Sequence, residues 1–167
     1  MAILPILKYP DPVLKQPSVP VEEINDEVQK LIDDMTETMY QAPGIGLAAN
    51  QVGALHRVIV FDVSPPEERP KPVVIVNPKI IAAEGEVKYT EACLSVGDFS
   101  SEVRRKARVT VSGLDRQGHP LEIEGEGLLA IVLQHEIDHL DGRLFIDRIS
   151  RLKRGLYMRQ IQKQMKK

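Results

Sequence analysis

The sequence predicts an α+β fold in one domain spanning residues 1–167: short, mostly antiparallel strands around a central buried helix, with one helix towards the N-terminus and one at the C-terminus. Three observations predict it. A proline-free apolar run, Leu128-Leu129-Ala130-Ile131-Val132-Leu133-Gln134, leads directly into His135-Glu136-Ile137-Asp138-His139 and suits a buried helix. Before it, short Val- and Ile-rich segments alternate with Gly, Pro, Asn and Asp, as antiparallel strands and their turns do. Apolar residues also recur at helical spacing near both ends of the chain. Strands followed by helices, with no repeat and no linker-like stretch, make an α+β domain.

Taken in order, Tyr9-Pro10-Asp11-Pro12-Val13-Leu14 opens with a proline-rich turn and one helical turn, and Pro17 and Pro20 keep the following connection extended. Asn25 is a suitable N-cap, and Asp26 and Glu27 follow where the helix dipole favours anions. Val28, Leu31, Ile32, Met35 and Met39 then form one buried face, and Pro43-Gly44 ends this helix. Residues 57–63 are strand-like, residues 64–72 form an exposed loop, and Val73-Val74-Ile75-Val76-Asn77 is a strand stopped by Pro78. Glu84-Gly85 is a turn between the Ile80-Ile81 and Val87 regions. Residues 108–112 and 121–124 alternate as a hairpin around Asp115-Arg116-Gln117-Gly118. After the central helix, Ser150 caps a last one, with Leu152, Leu156, Ile161 and Met165 along one side.

Composition narrows the function. A net charge of −2 gives no general attraction to DNA or to a membrane surface. The apolar run Ile3-Leu4-Pro5-Ile6-Leu7 is too brief for a signal-peptide core or a membrane span. A single cysteine excludes an internal disulfide and fits a reducing compartment, so the expected location is the cytoplasm. Beyond Asp147 every charged residue is basic. Such a tail suits a contact with RNA phosphates, or equally a solvated helix face. A purely RNA-binding role is disfavoured by an aromatic content of 4% without Trp, poor material for base stacking.

The chemistry centres on residues 135–139. On a helix, i and i+4 share a face, so His135 and His139 can reach one metal ion. Glu136 can then face the ion's water from outside the ligand set, where a general base belongs. This combination marks a metal hydrolase. The long zinc-protease signature would place another His at Phe145, and no His or Glu follows His139. Asp141 points off the ligand face, so the third ligand is sought upstream. The candidates are His56, His119 and Cys93. His119 lies in a Gly-His-Pro turn suited to the surface, and His56 beside Arg57 before a strand suits a structural or a surface place. A lone cysteine is ordinarily a small buried hydrophobe, but the unfilled ligand position favours Cys93. A nucleophilic Cys93 ranks lower, because it leaves Glu136 and the second His without roles.

The segment Gly44-Ile45-Gly46-Leu47-Ala48-Ala49-Asn50-Gln51 has the spacing of a dinucleotide fingerprint, but a helix precedes it and a strand follows, the reverse of what that site needs. Its small residues suit close backbone approach to a substrate at Ile45 and Gly46, with Gln51 donating to an oxyanion. The alternative is a tight turn in which Gln51 only satisfies backbone groups. Leu128 and Ile131 share a helix face with His135 and suit either an apolar substrate pocket or plain core packing. Glu91 is a candidate partner of Arg104 or Arg105.

Together, GIGLAANQ (44–51), EACLS (91–95) and HEIDH (135–139), in this order, resemble the three signature motifs of the peptide deformylases. The resemblance runs from Tyr9-Pro10-Asp11 to the last helix. It implies that Cys93, His135 and His139 bind one divalent ion, natively Fe2+ with Zn2+, Ni2+ or Co2+ as substitutes. It implies that Glu136 is the acid and base, and that Gln51 with the Leu94 amide holds the oxyanion. The implied substrates are N-formylmethionyl ends of new bacterial-type polypeptides. A zinc peptidase cutting internal bonds is the competing enzyme class. Two positions depart from the family pattern. Ala92 replaces a Gly and would be strained by about 1 kcal/mol at positive φ. Gly97-Asp98 replaces a Pro, which implies a more mobile loop.

Overall fold

The computed structural model describes residues 2–97 and 99–165, without the side chain of Met165. Its elements are α1 (Asp26–Gln41), β1 (Gly46–Ala48), β2 (Val58–Phe61), β3 (Val73–Glu84), β4 (Val87–Ala92), β5 (Ser100–Arg105), β6 (Arg108–Leu114), β7 (Pro120–Glu126), α2 (Leu128–Leu140) and α3 (Arg151–Met165). Five strands form an antiparallel sheet in the order β1-β2-β3-β6-β7, and β4 pairs with β5 in a second, two-stranded sheet. The α+β class stands. Among the described residues no helix is long and apolar enough to cross a membrane.

Strand periodicity explains how the larger sheet is covered. Val58 and Val60 point to one face, with Val28, Ile32, Met35 and Met39 of α1. Ile59 and Phe61 point to the other, with Ala130, Leu133, Ile137 and Leu140 of α2. Both faces of β2 are therefore buried, which is why it is apolar throughout rather than alternating. Helix α2 has ten buried positions, so its sequence is apolar nearly all round. The N-cap is as expected: Asn25 Oδ1 accepts from Val28 N at 3.1 Å.

Three features differ from the sequence reading. Pro78 does not stop β3, which continues to Glu84. The ladder with β6 shifts register between Val76 and Lys79, so the missing N–H of Pro78 falls where pairing is already interrupted. Asn77 sits there at φ 54 and uses its side-chain amide on Val21, accepting from Val21 N at 2.7 Å and donating to Val21 O at 2.9 Å. Strand β5 has a single apolar residue, Val103, and its inward positions Ser101 and Arg105 are polar, so hydrophobic alternation does not reveal it. The inner side of α3 is also different. Leu152 and Leu156 are 75% and 53% exposed, while Tyr157 is buried and Met158 and Ile161 pack beside Tyr9, Phe99 and Phe145. Adjacent helical residues differ by about 100° in direction, so the buried stripe runs through Tyr157, and Ile161 lies on it while Leu152 and Leu156 do not. Met165 lies outside the described side chains.

Candidate metal centre

Helix α2 presents His135 and His139 one turn apart, with ring centroids 4.9 Å from each other. Cys93 follows directly on β4, and its Sγ is 3.3 Å from His139 Nε2. One ligand atom from each of Cys93, His135 and His139 falls within 4.8 Å of the others, so a small inward adjustment lets a single ion with bonds of about 2.0–2.3 Å hold all three. A sulfur and two imidazoles form a donor set suited to Zn2+ and similar ions. His119 and His56 are exposed and stand apart from the cluster.

The surroundings fix these groups. His135 Nδ1 lies 2.8 Å from Glu91 Oε1, leaving Nε2 to face the cysteine. Burial alone would lower the His135 pKa, but hydrogen bonds with Cys93 and Glu91 carry it well above the usual histidine range. Burial, reinforced by the charge of His135, holds His139 well below that range. The sequence left open whether Glu91 pairs with Arg104 or Arg105, and the partner is Arg105. Arg105 Nε and Nη2 donate to Glu91 at 2.6 and 2.7 Å, and its Nη1 donates to Asp138 at 2.6 Å. Arg148 adds two further bonds to Asp138, at 2.6 and 2.7 Å. Two carboxylates and two guanidiniums thus balance beside the histidine pair, as buried charge requires. Sequence reasoning missed Asp138 and Arg148 here; the only local signal was the position of Asp138, one turn beyond His135.

Glu136 is buried, its Oε1 has no hydrogen-bond partner, and burial pushes its carboxyl up to about 7. Gly46 faces it closely: a Cβ at position 46 would lie 3.0 Å from Glu136 Cδ. Only a glycine admits this approach. Gln51 does satisfy a backbone group, and its amino group also faces the cluster. Its Oε1 accepts from Ala48 N at 2.9 Å, closing the turn, while its Nε2 lies 3.1 Å from Ser95 Oγ and 3.6 Å from Cys93 Sγ.

A cavity of about 590 Å³ opens over the cluster. Ile45, Gly46 and Gln51 form one wall, Cys93 and Leu94 another, with Leu128, Ile131, His135 and Glu136 along the helix side. His139 lies beneath them, 1% exposed. The anticipated strain at Ala92 is absent, because this residue ends β4 without a positive φ. Gly97 has φ 76, a conformation that suits glycine, and Asp98 lies outside the described residues.

Comparison with known proteins agrees with this geometry. The family model described as polypeptide deformylase matches residues 3–155. A peptide deformylase of Syntrophobacter fumaroxidans is 52% identical over 166 residues, covering 99% of this chain and 98% of that one. One from Thermodesulfovibrio yellowstonii is 58% identical, covering 94% and 95% of the two chains. The crystal structure of a Legionella pneumophila peptide deformylase has a TM-score of 0.92 at 47% identity, over 99% of this chain and 96% of that one. The Ehrlichia chaffeensis enzyme in complex with actinonin has a TM-score of 0.92 at 39% identity, over 98% of each chain. The chain belongs to the polypeptide deformylase family, metal-dependent enzymes that remove the N-formyl group from newly made polypeptides.

Proposed function

We propose that this cleft hydrolyses the formamide of N-formylmethionyl peptides, with Cys93, His135 and His139 holding one divalent ion. The observation that carries the reading is the convergence of one sulfur and two imidazoles within 4.8 Å beside the buried, unpartnered carboxylate of Glu136. When bound, the ion would supply Lewis acidity and lower the pKa of a water towards about 7. Glu136 takes the proton from the attacking water and delivers it to the methionine nitrogen as the C–N bond breaks and formate leaves. The Gln51 amino group and the Leu94 backbone amide hold the carbonyl oxygen while it gains negative charge. Donors of this kind contribute about 2.7–4 kcal/mol each. Ile45, Leu128 and Ile131 supply apolar surface for the methionine side chain, and Gly46 admits the substrate backbone close to the wall.

Fe2+ is the native ion in this reading, with Zn2+, Ni2+ and Co2+ able to replace it. Residues 1–167 act as one domain in the cytoplasm, with no membrane and no DNA partner. The basic residues of α3 contact ribosomal RNA, which salt-sensitive co-sedimentation with ribosomes tests: exchange of Arg151, Lys153 and Arg159 for serine should abolish it. The central test is metal analysis of anaerobically purified protein, assayed on a formyl-Met peptide, its acetyl counterpart and an internally cleavable peptide. About one ion per chain and turnover of the formyl peptide alone are expected. Cleavage of internal bonds would instead make the protein a general peptidase, and full activity without metal would remove the ligand assignment.

A further inference from the structure

The segment before the first turn crosses both walls of the cleft. Leu7 N donates to Gln51 O at 2.7 Å, and Tyr9 N donates to Ser95 O at 2.8 Å. Between them, Lys8 reaches into the cavity wall and its ammonium donates to the Leu94 carbonyl oxygen. The peptide that joins Leu94 to Ser95 then donates from its other end, with Ser95 N 3.5 Å from Cys93 Sγ. A hydrogen bond accepted by a carbonyl polarises the whole amide and strengthens its N–H as a donor. One peptide plane therefore connects an ammonium to a sulfur. Lys8 is an exposed lysine 86 positions from Leu94, and no spacing or motif links the two.

We propose that Lys8 is a positioning residue for the reaction. By holding and polarising the Leu94–Ser95 peptide, it directs the Ser95 amide at Cys93 and draws electron density from that sulfur. The inference rests on the reading of Cys93 as a metal ligand. Hydrogen bonds to a cysteine sulfur and to other ligands tune the ion they hold, and losing such an outer contact typically changes affinity or activity about 10–100-fold. A less electron-rich sulfur leaves the ion a stronger Lewis acid. The same peptide fixes the direction of the Leu94 residue, whose own amide faces the substrate in the proposed mechanism.

The experiment uses the full chain loaded with Co2+, whose bond to a thiolate gives a charge-transfer band. Wild type, Lys8→Met, Lys8→Arg and Cys93→Ser are compared by absorption spectrum, kcat, KM and thermal midpoint. Lys8→Met keeps the apolar stem and removes the donor, and Lys8→Arg restores one. The expected result is a band at lower energy in Lys8→Met, returning towards wild type in Lys8→Arg. With it, kcat falls about tenfold in Lys8→Met at unchanged KM and unchanged thermal midpoint. A Lys8→Met spectrum superimposable on wild type overturns the role of Lys8 while leaving Cys93 a ligand. A raised KM without a spectral shift makes Lys8 a substrate contact and also overturns it. A wild type without the band, or a Cys93→Ser protein that keeps it, overturns the ligand reading itself.

Discussion

Glu91 Oε1 lies 2.8 Å from His135 Nδ1, so a carboxylate carried by β4 orients an imidazole carried by α2. The two residues are 44 positions apart, and Arg105 fixes their meeting by donating to both oxygens of the same carboxylate. Glu91→Gln keeps the shape but weakens the acceptor. We expect metal to be lost to a chelator about 10–100 times more readily, with the fold retained. Equal rates of loss would separate Glu91 from the metal centre.

Gly46 and Glu136 make a second close pair. Gly46→Ala places a methyl group against the Glu136 carboxylate and displaces it into the cavity that it lines. A displacement of about 1 Å at a reacting group lowers rates about 100-fold. The expected variant has full metal content and a strongly reduced kcat, and wild-type turnover would show that Glu136 tolerates the shift.

In the proposed reaction, Glu136→Gln removes the proton acceptor without removing a ligand. Turnover of formyl-Met peptide should disappear while metal stays near one ion per chain. Loss of the metal as well would assign Glu136 to the coordination sphere.

Asp62 offers a pH prediction away from the metal. Burial raises its pKa, but donors from Ser64, Tyr40 and the Lys71 amide outweigh burial and hold the carboxyl well below its ordinary value of 3.8. A folded-state pKa below the unfolded one means that this stabilisation is complete above the unfolded value. It is lost as pH falls through the folded value. Asp62→Asn should therefore be less stable at neutral pH, and its stability should fall less steeply below about pH 4. Urea unfolding midpoints measured across that range decide it, and parallel curves for the two proteins would contradict the assignment.

The packing of α3 predicts unequal effects for neighbouring apolar residues. Tyr157→Ala empties a site lined by Tyr9 and Phe99 and should destabilise by about 3–5 kcal/mol. Leu152→Ala alters a side chain that is 75% exposed and should change stability by less than about 0.5 kcal/mol. Comparable losses in denaturant unfolding would mean that α3 packs by another face.

Much of the fold was legible because local signals agreed with tertiary need. The Asn25 cap, the apolar approach to His135 and the turn at residues 115–118 each satisfy a rule that acts within a few residues. The candidate ligands were legible because metal chemistry demands particular atoms, and the unfilled position pointed to the one cysteine. What escaped depends on distant partners. Arg105 in β5 belongs inside only because Glu91 and Asp138 meet it there. Tyr157 is inward only because Tyr9 and Phe99 receive it. Lys8 touches Leu94 across a separation that no pattern in the chain can span.

The break at Asn77 serves as a tether. Its carboxamide gives Val21 both bonds that a neighbouring strand would give, so an irregular stretch is docked without lengthening the sheet. Aspartate could accept there but not donate, and leucine could do neither. The thread from Leu7 to Val21 is thus moored along its length, near the cleft by main-chain bonds to Gln51 and Ser95, midway by bonds to Leu140 and Leu55, and at the far margin by one amide. Loosening that distant mooring would free the end of the thread that leads into α1, while the ties at Ser18 and Val19 keep the slack from the cavity.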